Sequence, residues 1–262
     1  MREERIGSAR LILGDCREVL PGLSGVDAVV TDPPYAVSVA GSESKGPHGT
    51  RRLDFFPGDS DWPAVIAMVR EAMTISTQLA HACIISWCSM RQIGTINDIL
   101  ESAGYSTRPL VWVKSCPAPA PPGTAWVSAL EIAVYGYKRG RYWGGSQYDP
   151  NVFTADSYRH GQPGKVDHPT QKPLSLMEWQ IVRCVAPDSV CLDPFMGSGT
   201  TGVACARLGR RFIGIEIDER YFDIACRRIE EAQRQADLFV KPPPAEDAYD
   251  RPMRDMFAEP SP

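Results

Sequence analysis

Short β-branched and apolar runs alternate along the chain with segments whose apolar positions recur at helical spacing. That alternation predicts a mainly parallel sheet covered by helices. Seven runs read as strands: RLILG, VDAVVTD, HACIISWC, PLVWVK, EIAVYGYK, SVCLDP and RFIGIEI. Between them Val65, Ile66, Val69, Ala72 and Met73 share a helical face, as do Ile93, Ile96 and Leu100 before Gly104, and Phe222, Ala225, Cys226 and Ile229 near the end. Another helix is expected from the glycine turn at 197–199 to Leu208 and Gly209. The fold class is therefore α/β, a seven-stranded, mostly parallel sheet with helices on both faces. Three stretches break the rhythm: 38–62, the proline-rich 116–126, and 140–167 with its Gly, Tyr and Arg. They read as surface loops or insertions, where specificity tends to reside. Residues 241–262 hold six prolines and five acids among few large apolar groups and are expected to stay unfolded. The expected organisation is one domain over 1–240, with insertions at 36–61 and about 139–167, and a tail at 241–262.

Composition narrows this without redirecting it. With 262 residues, 43% hydrophobic and 23% charged, the chain can bury one core and is neither collagen-like, coiled-coil nor wholly disordered. No apolar run approaches the roughly 18 residues that cross a bilayer. The start, MREERIGSAR, lacks the apolar segment of a signal peptide, so a cytoplasmic location without membrane contact is expected. The eight cysteines stand singly, without CxxC pairs or zinc-ligand spacing, and read as reduced core residues with no metal. The formal charge is −4, but −3 of it sits in the last twenty residues, where five acids face Arg251 and Arg254. The rest is near neutral, so a partner must be inferred from local charge.

Two segments carry chemistry. The first, Asp193-Pro194-Phe195-Met196-Gly197-Ser198-Gly199-Thr200-Thr201, links a strand to a helix. Its glycines let backbone approach a ligand, and an acid at a strand end can hold a polar or hydroxylated group. The next strand ends in Glu216, where a carboxylate can grip ribose hydroxyls. The turn matches neither G-x-G-x-x-G nor the phosphate loop, and no lysine stands there for a polyphosphate. S-Adenosylmethionine therefore fits better than a dinucleotide, while a tight turn without any ligand would use the same letters. The second, Asp32-Pro33-Pro34-Tyr35, ends VDAVVTD. The prolines stiffen the bend and hold the Asp32 carboxylate and the Pro33 carbonyl as two fixed acceptors. Tyr35 adds a flat face for a base. Acceptors beside a stacking plate suit an aromatic amine, although a proline-stiffened turn with a capping Asp reads the same way.

Taken together, TDPPY at 31–35, HPTQKP at 168–173 and DPFMGSGTT at 193–201 resemble the β-class amino DNA methyltransferases, which methylate N6 of adenine or N4 of cytosine. The order, with DPPY ahead of the cofactor turn, corresponds to a circular permutation of the common methyltransferase arrangement. Gly14-Asp15-Cys16, VWVK at 111–114, EIAVYGYK at 131–138 and FIGIEID at 212–218 extend the similarity over residues 10 to 230. The resemblance implies a Rossmann-like fold that uses S-adenosylmethionine. It implies that Phe195, Gly197 and Gly199 line the methionine part of that cofactor, with Glu216 on its ribose and Asp193, Ser198 and Thr200 also binding it. Asp15 and the backbone at Cys16 would meet its adenine. His168, Thr170 and Lys172 would close the pocket, Lys172 near the cofactor carboxylate. Asp32 and the Pro33 carbonyl would take the target amine of a base flipped out of double-stranded DNA, with Pro34 stiffening the loop and Tyr35 stacked on the base. Asp before Pro-Pro-Tyr favours adenine, and cytosine N4 stays open. A methyltransferase for RNA or a protein amide, or a regulator without catalysis, are the rival readings.

Residues 136–172 set Lys138, Arg139, Arg141, Arg159, Lys165 and Lys172 against Asp149, Asp156 and Asp167, interleaved with Tyr142, Trp143, Tyr148 and Tyr158. Basic and aromatic residues so mixed predict a DNA-facing element, with Arg139, Arg141, Tyr142, Arg159 and Lys165 as its contacts. Gln235-Ala236-Asp237-Leu238-Phe239 resembles the short peptide by which bacterial DNA-processing proteins dock on the replication sliding clamp. Homodimerisation is an expectation from the resemblance alone.

Overall fold

The computed structural model describes residues 2–35, 44–46, 49–51, 62–117, 126–157, 166 and 171–238. In chain order the elements are β1 (Arg2–Ile6), β2 (Ala9–Leu13), α1 (Cys16–Val19), β3 (Val26–Thr31), β4 (Ser44–Gly46), β5 (Gly49–Arg51), α2 (Trp62–Leu79) and β6 (Ala80–Cys88). They continue with α3 (Ile93–Ser102), β7 (Ser106–Lys114), β8 (Leu130–Tyr137), β9 (Val152–Ala155), α4 (Leu174–Cys184), β10 (Val190–Asp193), α5 (Thr200–Arg207), β11 (Arg211–Glu216) and α6 (Glu219–Leu238).

The main sheet has nine strands in the order β1-β2-β11-β10-β3-β6-β8-β7-β9, and β4 pairs with β5 in a separate antiparallel ribbon. The seven predicted strands form its unbroken middle, from β2 to β7. The expected count of seven is corrected by one strand at each edge, β1 antiparallel to β2 and β9 parallel to β7. From β2 to β6 the pairing is parallel, while β8 runs antiparallel to both of its neighbours.

Successive side chains along a strand face opposite ways, and the two cores follow from that alternation. Ala28, Val30, Cys83, Ile85, Trp87, Ala133 and Tyr135 meet α4, α5 and α6 on one face. Val29, Ile84, Val134, Leu192 and Ile215 meet α1, α2 and α3 on the other. Parallel central strands are thus covered on both sides, as their near-continuous apolar sequences require. Seven of the eight cysteines are buried or partly buried, and Cys116 is exposed. Among the described residues no helix is long and apolar enough to span a membrane.

Candidate active site

Four consecutive parallel strands, β2, β11, β10 and β3, end on one rim, and each delivers one sequence segment to it: Gly14-Asp15, Glu216, Asp193 and Asp32. The carboxyl end of a parallel sheet, where loops diverge, is the usual place for a ligand. Hydrogen bonds tie the segments together. Gly14 donates its N–H to the Glu216 carbonyl at 2.9 Å, and Thr31 donates its hydroxyl to Asp193 Oδ1 at 2.7 Å.

At the end of β3, Asp32 uses both carboxylate oxygens. Oδ1 accepts from the Tyr35 hydroxyl at 2.6 Å and Oδ2 from Lys172 Nζ at 2.6 Å. Lys172, 6% exposed, also lies 3.0 Å from Glu131 Oε2 and 3.0 Å from the Tyr35 hydroxyl, with its ammonium over the rings of Tyr35 and Trp87. Lys114 pairs with the other Glu131 oxygen at 2.8 Å. Burial raises the pKa of Asp32, and Lys172 offsets only part of that. For Lys172 burial works against the charge, but Asp32 and Glu131 outweigh it and its pKa is raised. Burial likewise works against the Glu131 carboxylate, yet its two lysines prevail and hold its pKa below the usual range. The Pro-Pro bend is braced by a residue that sequence reasoning missed: buried Gln92 donates Nε2–H to the Pro34 carbonyl at 2.8 Å, and its Oε1 accepts from the Ser89 N–H at 2.9 Å.

Lys172, expected beside a cofactor carboxylate, has its ammonium engaged here by the Asp32 and Glu131 carboxylates. Glu131 was also missed. It sits within a predicted strand, and nothing local distinguishes it from a solvated charge until the sheet brings β8 and the 171–173 segment together. Tyr35, expected to stack on a base, is partly buried with its hydroxyl committed to Asp32.

The glycine turn is a second cluster. Asp193 is 3% exposed, and it accepts from Thr31, from the Thr201 hydroxyl at 2.7 Å and from the Phe195 N–H at 3.1 Å. Its oxygens knot β3, the turn and α5 together, and burial lifts its pKa to about 6. Ser198 and Thr200 are engaged by Arg228 of α6, whose Nη1 donates to the Ser198 carbonyl at 2.5 Å, Ser198 Oγ at 3.1 Å and Thr200 Oγ1 at 3.2 Å. Gly199 caps α5 in the left-handed region at φ 80°, a conformation a side chain resists.

Glu216 accepts from the N–H groups of Gly197, Ile217 and Asp218 at 2.8, 2.8 and 2.7 Å. Burial dominates nonetheless and lifts its pKa to about 7. Asp15 caps α1, accepting from the Arg17 N–H at 2.9 Å, and pairs with the Arg17 guanidinium. Cys16 is buried and its thiol is pushed up to about 12, which leaves it inert as a nucleophile. Carboxylates at Asp15, Asp32 and Glu216, a partly buried Phe195 and a turn without lysine or arginine of its own make an acceptor-rich rim. That donor set suits a nucleoside with hydroxyls and a positive centre better than a polyphosphate.

The remaining predicted contacts divide by position. His168, Thr170, Arg159 and Lys165 lie outside the described residues. Arg139, Arg141 and Tyr142, expected in a DNA-facing element, stand at the opposite end of the sheet from Asp32. The reason is strand direction. β8 is antiparallel to β6, with Ile132 opposite Cys88 at the rim and Tyr137 opposite Cys83 below, so the chain leaves β8 on the far side. Gly144 then bonds to the Arg183 carbonyl near the end of α4. Arg141 is already engaged, donating to the Tyr135 hydroxyl at 2.7 Å with its guanidinium 3.9 Å from the Tyr137 ring centre. Gln235 to Leu238 continue α6, and Phe239 lies outside the described residues.

A family model described as DNA methylase matches residues 105–227. The chain is 27% identical to Type II methyltransferase M.HinfI of Haemophilus influenzae over 89% of its own length and 73% of that protein's. It is 28% identical to M2.DpnII of Streptococcus pneumoniae, covering 78% and 82% respectively. Among solved structures, the M1.HpyAVI–SAM complex superposes with a TM-score of 0.64 at 28% identity, covering 84% of this chain and 99% of that one. The cytosine-N4-specific PvuII DNA methyltransferase shares the fold, at a TM-score of 0.67 and 16% identity, over 90% and 95% of the two chains.

Proposed function

Starting from a chain that belongs to the amino DNA methyltransferases, we propose that it transfers a methyl group from S-adenosylmethionine to the exocyclic N6 of adenine in double-stranded DNA. The observation that carries the reading is the shared rim: the Asp32 bend and the Glu216 and glycine-turn cluster end adjacent strands and are joined by the Thr31–Asp193 hydrogen bond. When bound, the cofactor supplies an electrophilic methyl on a sulfonium. The residues of this chain do the rest by holding and orienting. Glu216 takes the ribose hydroxyls, Asp15 and the Cys16 backbone meet the adenine ring, and Phe195 with Gly197 borders the methionine part.

An aromatic amine is a poor nucleophile because its lone pair is shared with the ring. Asp32 and the Pro33 carbonyl accept its two hydrogens and draw the nitrogen toward tetrahedral geometry, which frees that lone pair. With the cofactor bound, the lone pair would displace the methyl group from the sulfonium, leaving the S–C bond electrons on sulfur, and Asp32 would take a proton from the nitrogen and pass it to solvent. Positioning and electrostatics carry the rate, without a covalent enzyme intermediate. The base must first leave the duplex, which costs a few kcal/mol of stacking and pairing.

Asp in the DPPY segment favours adenine over cytosine N4. Arg159 and Lys165 are the proposed phosphate contacts. Docking of residues 235–239 on a sliding clamp is an additional proposal, tested by a clamp pull-down with the Leu238→Ala and Phe239→Ala variants. A homodimer and a catalytic unit spanning 1–240 belong to the same reading.

The decisive experiment is single-molecule sequencing of DNA from a methylation-free host expressing the chain, which reports the modified base and its motif. Methylated adenine is expected in the wild type and none with Asp32→Ala, while affinity for S-adenosylhomocysteine stays within about threefold. Methylated DNA from the Asp32→Ala strain would overturn the assignment of the acceptor.

A further inference from the structure

Asp32 is the last member of a line of four alternating charges. Lys114 Nζ is 2.8 Å from Glu131 Oε1, Glu131 Oε2 is 3.0 Å from Lys172 Nζ, and Lys172 Nζ is 2.6 Å from Asp32 Oδ2. Strand register fixes its outer half, because Lys114 ends β7 and Glu131 lies near the start of β8, opposite Trp112. Lys172 Nζ donates to Asp32 and to the Tyr35 hydroxyl and is ion-paired with Glu131 at 3.0 Å, so three groups hold the ammonium. The four side chains are between 6% and 23% exposed. In such partly dry surroundings unit charges act on one another several times more strongly than in water.

This arrangement bears on the chemistry proposed above. As the N–C bond forms, positive charge grows on the target nitrogen, and Asp32 is the carboxylate placed to stabilise it. An ammonium 2.6 Å from that same carboxylate opposes the growth unless its own charge is cancelled. We propose that Glu131 is a positioning residue which holds Lys172 in place and cancels its charge, leaving the negative charge of Asp32 to the target amine. The inference deepens the methyl-transfer reading and rests on it. The line is neutral as a whole and negative at the end that meets the base, so removing Glu131 alone leaves two lysines against one carboxylate at the moment a cation forms.

The test uses the full chain, duplex DNA bearing the motif found by sequencing, and four proteins: wild type, Glu131→Gln, Lys114→Met, and the double variant. Glu131→Gln keeps shape and loses charge, and kcat is expected to fall about tenfold or more. KM for DNA and affinity for S-adenosylhomocysteine should stay within about twofold, as expected of a group acting in the transition state. The double variant restores neutrality and should recover most of kcat, which a merely structural role for Glu131 would not produce. Wild-type kcat in Glu131→Gln, or a double variant no faster than the single one, would overturn the inference. Should Glu131→Gln fail to fold, Lys114→Met still decides: kcat held or raised supports charge balance, and a tenfold loss refutes it. A wild-type protein that transfers no methyl group to any DNA overturns the methyl-transfer reading itself, whereas an active wild type with unaffected variants overturns only the role of Glu131.

Discussion

Glu216 shows how a single buried carboxylate sets conditions for the site. Its pKa of about 7, against an ordinary 4.5, reflects burial that three backbone N–H groups do not fully offset. A carboxyl whose folded pKa is raised contributes stability below the unfolded pKa, and that contribution is lost as pH rises through the folded one. Unfolding free energy of the ligand-free protein should therefore fall between about pH 4.5 and 7, by roughly 3 kcal/mol from this group. Glu216→Gln should flatten the profile in urea titrations. Ribose hydroxyls need the ionised form, so affinity for S-adenosylhomocysteine should rise about tenfold from pH 6 to 8 in the wild type and not in the variant. Calorimetry at the two pH values checks this. Asp32, Tyr35 and Glu216 were legible in the sequence because each sits where a strand pattern stops. Gln92, Glu131 and Arg228 were not, since each acquires its partner from a segment distant in sequence, and no local signal marks an acid or amide that will find one.

Elements were legible in proportion to their burial. The seven central strands are apolar enough to stand out, whereas β1 reads REERI and is exposed along most of its length, held at the edge by pairs such as Arg10–Glu3 at 2.9 Å and Arg2–Asp223 at 2.8 Å. An edge strand polar on both faces gives no alternation to detect. β9 is four residues long and follows a run of Gly and Tyr, so its pattern was too short to register. The helix α4 was legible and overlooked: Leu176, Met177, Gln180, Ile181 and Cys184 recur at helical spacing, hidden behind the motif that precedes them. The junction of the turn with α5 and α6 carries the element-scale prediction. A Cβ added at Gly199 would stand 2.8 Å from Ala225 Cβ and 3.0 Å from Ala225 Cα, in a conformation at φ 80° that side chains avoid. Gly199→Ala is expected to cost about 1–3 kcal/mol of stability and to weaken cofactor binding by loosening the turn. Chemical denaturation and calorimetry measure the two effects separately, and unchanged stability would show that α6 yields.

At the scale of the molecule, strand polarity divides the surface into two ends, one bearing Asp32 and the other bearing residues 139–142. Charge counting could not see that division, since basic and aromatic letters adjacent in sequence become remote once β8 reverses direction. If phosphates are held at the Asp32 end, converting Arg159 and Lys165 to Gln should weaken DNA binding and make log K less dependent on log salt, by up to about two counterions. Arg139→Gln should leave that slope as it is. Titrations at several salt concentrations distinguish the two outcomes, and a flatter slope for Arg139→Gln would return 139–142 to the interface.

The hydroxyl of Thr31, set 2.7 Å from Asp193, has a further consequence. In the proposed reaction it would fasten the floor beneath the incoming amine to the floor beneath the methyl donor, so that the spacing of the two reactants would be built into neighbouring strands rather than left to a hinge. Precision of approach is then a property of the resting protein, available before either guest arrives, and the work of motion falls to the nucleic acid, whose base must travel to a fixed seat.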